Sequence, residues 1–297
     1  MKLQKNLPLG ENFGSSYFKN IIKSESISSD TVRLFQKTIY EYYEKHARHY
    51  PWRIASTTPY HILISEIMLQ QTQTNRVIKK YKQFTKTFPD FSSLAHAKLY
   101  DIITVWQGLG YNRRALALKT IAETIIDKFG GVLPSNINEL ITLPGIGKYS
   151  ASAICTFAFN QPHVFIETNI RTVFIHFFFN TKTGVKDKDL LLLVKQTLDT
   201  SNPRKWYYAL MDYGEMLKKK YPNPNRRSAH YRKQSAFKDS NRQIRGLILR
   251  VLTKETSLSE NEMINILNLD SQKIKHNLIQ LQREGFIKKK GKEFSLV

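Results

Sequence analysis

Glycine and proline in this chain sit at joints, and between the joints apolar residues recur at helical spacing. That pairing leaves little room for anything but a body of packed helices. Val32, Phe35, Ile39 and Tyr42 repeat three and four residues apart, with Asp30 placed as a cap. Further helical runs are predicted over 59–71, 73–84, 91–97, 99–106 and 113–129. Gly108, Gly110, Gly130, Gly131, Pro134, Pro144, Gly145 and Gly147 separate them. Nothing before residue 240 shows the sustained alternation of a strand. The first 29 residues lack a clean period and read as an N-terminal arm.

Composition narrows the class. No apolar run approaches roughly eighteen residues, and the N-terminus has no apolar signal region. Neither a membrane span nor secretion is expected, so the expected location is cytoplasmic, and the chain reads as a monomer. Cys155 is the only cysteine. It excludes an internal disulfide, a cysteine-rich zinc site and a four-cysteine iron–sulfur cluster. Forty-six Lys and Arg against 24 Asp and Glu give a net charge of +22. Such an excess points to a polyanion partner, DNA or RNA first, although an AT-rich genome that writes Lys freely would also inflate it. The charge is densest over 218–240, where KKKYPNPNRRSAHYRK carries no acid and two prolines forbid a helix through its middle. The stretch reads as a basic linker, with Arg226 and Arg227 as candidate phosphate contacts; a flexible solvated connector fits the same string.

Residues 241–297 form a separate pattern. Ile244, Leu247, Ile248 and Val251 share a helix face, a second helix is predicted over 257–267 with a capping box at Ser259 and Glu262, and Asp270 opens a third. FIKKKGKEFSLV then reads as two extended runs about a Lys-Gly turn. Three helices and a hairpin make a winged-helix-like (α+β) domain, or, on the alternative, a plain three-helix cap.

The most specific string is LPGIGKYSASAI, residues 143–154. Leu143 packs, Pro144, Gly145 and Gly147 force a tight turn, and Lys148 stands at the start of a helix of small residues. Such a turn offers several backbone N–H groups at one point, where a phosphate approaches without meeting side chains. It is a helix-hairpin-helix signature, a grip on the DNA backbone that carries no sequence information.

PWR at 51–53, TPYHILISEIMLQQTQT at 58–74, WQGLGYNRRA at 106–115, the hairpin, and ETNIRTV at 167–173 occur in that order. In this the chain resembles the helix-hairpin-helix (HhH-GPD) DNA glycosylases over about 30–217, and within them the A/G-specific adenine glycosylase (MutY-like) branch. The resemblance implies an all-α, two-lobed helix-hairpin-helix DNA glycosylase fold: a six-helix barrel over about 58–165 and a second lobe from 30–57 and 166–217. It also implies removal of a mispaired base from double-stranded DNA.

Cleaving a purine N-glycosidic bond needs a proton for the departing base and negative charge beside the cationic sugar. Glu66 lies in the apolar run ILISEIML, where desolvation favours the protonated state an acid needs. In the resembled family the Glu at this position protonates adenine. The family places Asp where this chain has Glu167; the extra methylene shifts the carboxylate by about 1.4 Å, enough to cost around a hundredfold in rate if uncompensated. Asn169 matches the family's polar partner of that carboxylate. Bifunctional relatives carry a Schiff-base Lys where Tyr149 stands, so monofunctional chemistry is implied. The resemblance makes Gln70, Gln71 and Thr72 the wedge that fills the stack after base extrusion, with Tyr111 assisting.

Two family features are missing. ALMDYGEMLKKK at 209–220 has Lys218 where the first cluster cysteine would stand, and no Nudix-like C-terminal domain is recognisable. No cofactor is therefore expected beyond a monovalent cation that the hairpin carbonyls can hold. The primary expectation is release of adenine from A:G or A:8-oxoguanine. A T:G/U:G mismatch glycosylase and a non-catalytic DNA-binding protein using its winged-helix tail are the alternatives.

Overall fold

The computed structural model describes residues 27–179 and 181–297; the N-terminal arm expected over 1–29 lies almost wholly outside them. In chain order the helices of the body are α1 (Ser29–His46), α2 (Pro59–Leu69), α3 (Thr74–Thr87), α4 (Phe91–His96), α5 (Leu99–Trp106), α6 (Arg113–Phe129) and α7 (Ile137–Leu140), then α8 (Lys148–Phe159), α9 (Thr168–Phe178), α10 (Asp187–Thr197) and α11 (Pro203–Lys220). A 3-10 turn spans Pro224–Arg227. The tail holds α12 (Asn241–Leu252), β1 (Leu258–Ser259), α13 (Glu260–Leu267), α14 (Ser271–Arg283), β2 (Ile287–Lys290) and β3 (Glu293–Leu296). No described helix is long and apolar enough to cross a membrane.

The chain divides into two compact units, one from residues up to 49 and 155–233, the other from 50–154 and 234–297. The boundaries fall at 49, 154 and 233 where the sequence suggested 57, 165 and 217. The first unit packs α1 and α9 against α11. Its centre is aromatic: the Phe35 ring meets Phe174, Phe177, Phe178 and Trp206 at centroid separations of 5.2–5.8 Å. Ser28, rather than Asp30, caps α1, since its extended backbone aims the side-chain oxygen at the Thr31 N–H. The basic stretch is partly built into this unit. Lys218, Lys219 and Lys220 complete α11, which stops before Pro222, and Arg227 donates to the carbonyls of Phe179 and Ile175. The linker reading fails for these residues because α9 offers a helix end with open carbonyls.

In the second unit α2, α3, α5 and α6 pack around Leu63, Ile64, Met68, Phe84, Trp106 and Leu118, all buried. Helix α2 ends at Leu69, short of the expected Gln71, because Gln71 takes a left-handed φ of 51°. The tail is the winged-helix-like module: α12, α13 and α14 over an antiparallel sheet in the order β1-β3-β2. Leu258 and Ser259, expected to begin a helix, instead pair with Phe294 and Glu293 of β3. Ser259 then caps α13 in a reciprocal box with Glu262, and Asp270 caps α14. Gly291 turns β2 into β3 with φ 61°.

The module is bound to the body of its own unit. Glu284, following α14, accepts from Arg113 of α6 at 2.9 and 2.6 Å and also from Arg245 of α12. Burial opposes its charge, but the hydrogen bonds from these guanidiniums hold its carboxyl below the usual range. Tyr100 donates to the Thr253 carbonyl at 2.9 Å, and Gln107 bonds the Thr253 hydroxyl.

Candidate active site and nucleic-acid interface

Thr58 caps α2, Pro59 occupies its first turn, and the run that follows is apolar on nearly every side. Glu66 therefore sits among buried Ser65, Ile67, Leu63 and Met68 while remaining only half-buried itself.

Past the end of α2 the backbone turns sharply. Five described residues other than glycine have positive φ; three are Asn or Asp, which tolerate it, and the remaining two are Gln71 (51°) and Tyr111 (49°). Strain of this kind persists only where surrounding structure dictates it. Arg114 does so. Its guanidinium donates to the carbonyls of Ile67, Met68 and Gln70 at 3.0, 2.7 and 2.6 Å, closing the end of α2. It also donates to the Gly110 carbonyl and the Thr72 hydroxyl at 2.9 and 3.0 Å. One buried cation thus ties the QQT segment to the GLGY turn. Burial lowers its pKa to about 10, so it is still charged at neutral pH.

The hairpin follows α7. Leu143 and Ile146 are buried and anchor it, so the Leu143 side chain is packing rather than a surface for DNA. Gly145 (φ 77°), Gly147 and Lys148 are exposed, and their backbone N–H groups have no acceptor among the described residues. N–H groups so placed at the start of α8 can receive an anion. Gln70 departs from a simple wedge role: its amide donates to the Gly145 carbonyl at 3.2 Å and to Ser150 Oγ at 3.3 Å. Gln71 is the exposed member of the pair. Tyr149, 39% exposed, stands on the first turn of α8.

In the other unit Glu167 is the N-cap of α9. Its Oε1 accepts from the backbone N–H groups of Asn169 and Ile170 at 2.7 and 2.9 Å, and its Oε2 from Asn169 Nδ2 at 3.2 Å. Burial of the carboxyl raises its pKa, opposed by those two N–H groups and by Lys218 and Arg171. The Asn169 amide oxygen is buried with no partner. Behind it, Gly214 of α11 approaches so closely that a Cβ there would lie 2.3 Å from the Asn169 carbonyl oxygen. Two positions earlier, Asp212 is buried and paired with Arg48 at 2.7 Å. The ALMDYG string is thus a packing device that seats the start of α9.

Residues 64–195 match the HhH-GPD superfamily base excision DNA repair protein family. The chain is similar to this family over that stretch. Glu66, the QQT segment, Tyr111, the hairpin, Glu167 and Asn169 all fall within it, and Arg226, Arg227 and the winged-helix-like module lie beyond. The adenine DNA glycosylase of Buchnera aphidicola subsp. Baizongia pistaciae is 36% identical over 192 residues, 63% of this chain and 54% of that protein. The adenine DNA glycosylase of Mycobacterium tuberculosis is 39% identical over 132 residues, 44% of this chain and 43% of that protein. The chain therefore spans about half the length of the curated relatives it matches. Among solved structures, a thermostable thymine-DNA glycosylase aligns with a TM-score of 0.55 and 28% identity over 62% of this chain and 85% of that one.

Sequence reasoning missed Arg114, Asp212 and Gly214. The repeated Arg in GYNRRA was visible, but nothing in its spacing says that the second side chain turns inward. Of the two candidate phosphate contacts outside the matched stretch, Arg226 is exposed and Arg227 is committed to α9 carbonyls. The iron–sulfur cluster that the resemblance implies does not fit this chain. Its single cysteine, Cys155, is buried with its pKa pushed up to about 11, and Lys218 pairs with Glu215 at 2.8 Å.

Proposed function

We propose that the protein is a monofunctional DNA glycosylase that removes mispaired adenine from double-stranded DNA. The observation that carries this reading is the construction at the end of α2: the helix bearing Glu66 ends in a strained turn that Arg114 locks. A strained, exposed Gln71 on a rigid base suits a side chain that must enter a base stack and stay there. The likeness to the adenine DNA glycosylases of Buchnera and Mycobacterium supports adenine as the base. Glu66 protonates the departing adenine. Glu167, ionised, stabilises the oxocarbenium ion, and Asn169, whose Nδ2 steadies that carboxylate, supports it and the attacking water. Tyr149 supports the leaving group and supplies no amine, so the product is an abasic site without efficient strand scission. The exposed hairpin N–H groups and Lys148 hold a phosphate, and hairpin carbonyls beyond that of Gly145 are where a monovalent cation would bind.

The test is incubation with duplexes bearing A:8-oxoguanine, A:G, T:G and U:G, followed by alkali. Strand breaks at adenine are expected, and Glu66→Gln should reduce them about 10²–10⁴-fold while leaving DNA binding intact. Breaks only at T or U would favour the second reading, a T:G or U:G glycosylase, which the likeness to the thymine-DNA glycosylase supports. No breaks with any duplex would leave a DNA-binding protein without this chemistry.

A further inference from the structure

A pocket of about 510 Å³ opens between the GLGY turn and the winged-helix-like module, within the usual range of small-molecule sites. Neither Glu66 nor Tyr149 lines it, so it is distinct from the place where the base would be cleaved. One wall is Gln70, Gln71 and Tyr111; the other is formed by Arg242, Arg245, His276, Asn277 and Gln280 from α12 and α14. No carboxylate lines it.

These groups divide into two sets. Arg242, Arg245 and Asn277 are fixed. Arg242 bonds the Tyr111 hydroxyl and lies 5.3 Å from its ring centroid, Arg245 grips Glu284, and Asn277 donates to Asn241 and the Lys273 carbonyl. Gln71, His276 and Gln280 have side chains with no hydrogen-bond partner among the described residues. A rigid cationic frame with three open amide and imidazole groups is what reading a planar base edge requires.

We infer that this pocket receives the nucleobase left unpaired when its partner is extruded, and that His276 and Gln280 read that base. The inference rests on the glycosylase reading for the wedge. A base stranded by Gln71 lies beside the wedge, and the pocket is the polar cavity that the wedge residues themselves wall. Anchoring through Glu284 and Arg113 keeps α14 at that position.

The experiment uses the full chain with two readouts. The first is fluorescence of 2-aminopurine placed opposite a tetrahydrofuran abasic analogue, which cannot be cleaved. The parent protein should change this fluorescence on binding, and His276→Ala/Gln280→Ala should lose most of the change while still binding the duplex. His276 is exposed and Gln280 half-buried on α14, and neither belongs to its core residues Ile274, Leu278 and Leu281, so the fold should survive; Gln280→Ala alone serves as the milder variant. The second readout is the rate of adenine release opposite guanine, 8-oxoguanine and cytosine. The double variant should flatten the spread of rates by about tenfold, leaving release opposite an abasic position unchanged. An unchanged fluorescence response in the double variant overturns the proposal, as does an unchanged spread of rates. Loss of the response in the variant with no adenine release even by the parent would sink the glycosylase reading alone and uphold the pocket as a nucleobase site.

Discussion

Glu167 works under two demands at the scale of the residue. As an N-cap it must reach the Asn169 and Ile170 N–H groups, and in the proposed role of cation stabiliser it must be ionised. Asp does the first with a shorter side chain and is the commoner cap. Glu167→Asp is therefore expected to keep base release within about tenfold of the parent, and Glu167→Gln to lose about a hundredfold or more, measured as single-turnover rates. Burial raises the pKa of this carboxyl. The ionised form is lost as pH falls through that raised value, so the acid limb of the rate profile should lie above the ordinary Glu range, and a limb at or below that range would contradict the assignment. Stability runs the other way. A raised folded-state pKa contributes stability that is complete below the unfolded value and is lost as pH rises through the folded one.

At the scale of the element, α2 and the GLGY turn behave as one part because a single guanidinium joins them. Arg114→Lys cannot supply the same fan of donors, and it leaves buried carbonyls of Ile67 and Met68 short of partners. A loss of about 2–4 kcal/mol in denaturant unfolding is expected, with slower base release. Gln71→Gly separates strain from clamping. Glycine accepts a φ of 51° without penalty, so the protein should gain about 1 kcal/mol while base release falls. A variant that gained stability and kept full activity would mean that the strained side chain has no part in opening the stack.

At the scale of the whole molecule, the proposed association with DNA would be strongly dependent on salt, given the net charge of +22. Each phosphate neutralised should contribute a slope of about −0.9 in a plot of log affinity against log salt. Neutralising exposed Lys148 by Lys148→Ala should make the slope shallower by about one unit, and Arg227→Ala, whose guanidinium is turned to α9, should instead lower stability without changing the slope. The winged-helix-like module adds polar side chains beside Gln71 and Tyr111 rather than a free-standing domain, since Glu284, Tyr100 and Gln107 bind it to the body of its own unit.

The order of helices, the glycine hairpin, the capping box at Ser259 and Glu262, and the position of Glu66 in an apolar helix were all legible in the sequence, because each depends on neighbours within a few residues. Contacts across long stretches of chain were not. Arg114 reaches the end of α2 more than forty positions back, Asp212 holds Arg48 from 164 away, and Gly214 makes room for the backbone of Asn169. A side chain that bonds carbonyls, or a glycine that admits another helix, leaves no periodic trace, since its reason lies on a different segment. The same cause explains the linker that became a helix end and a turn, and the docked tail. Local spacing determined the elements and the chemistry they carry, and only packing decided which turn is strained and which pocket the tail completes.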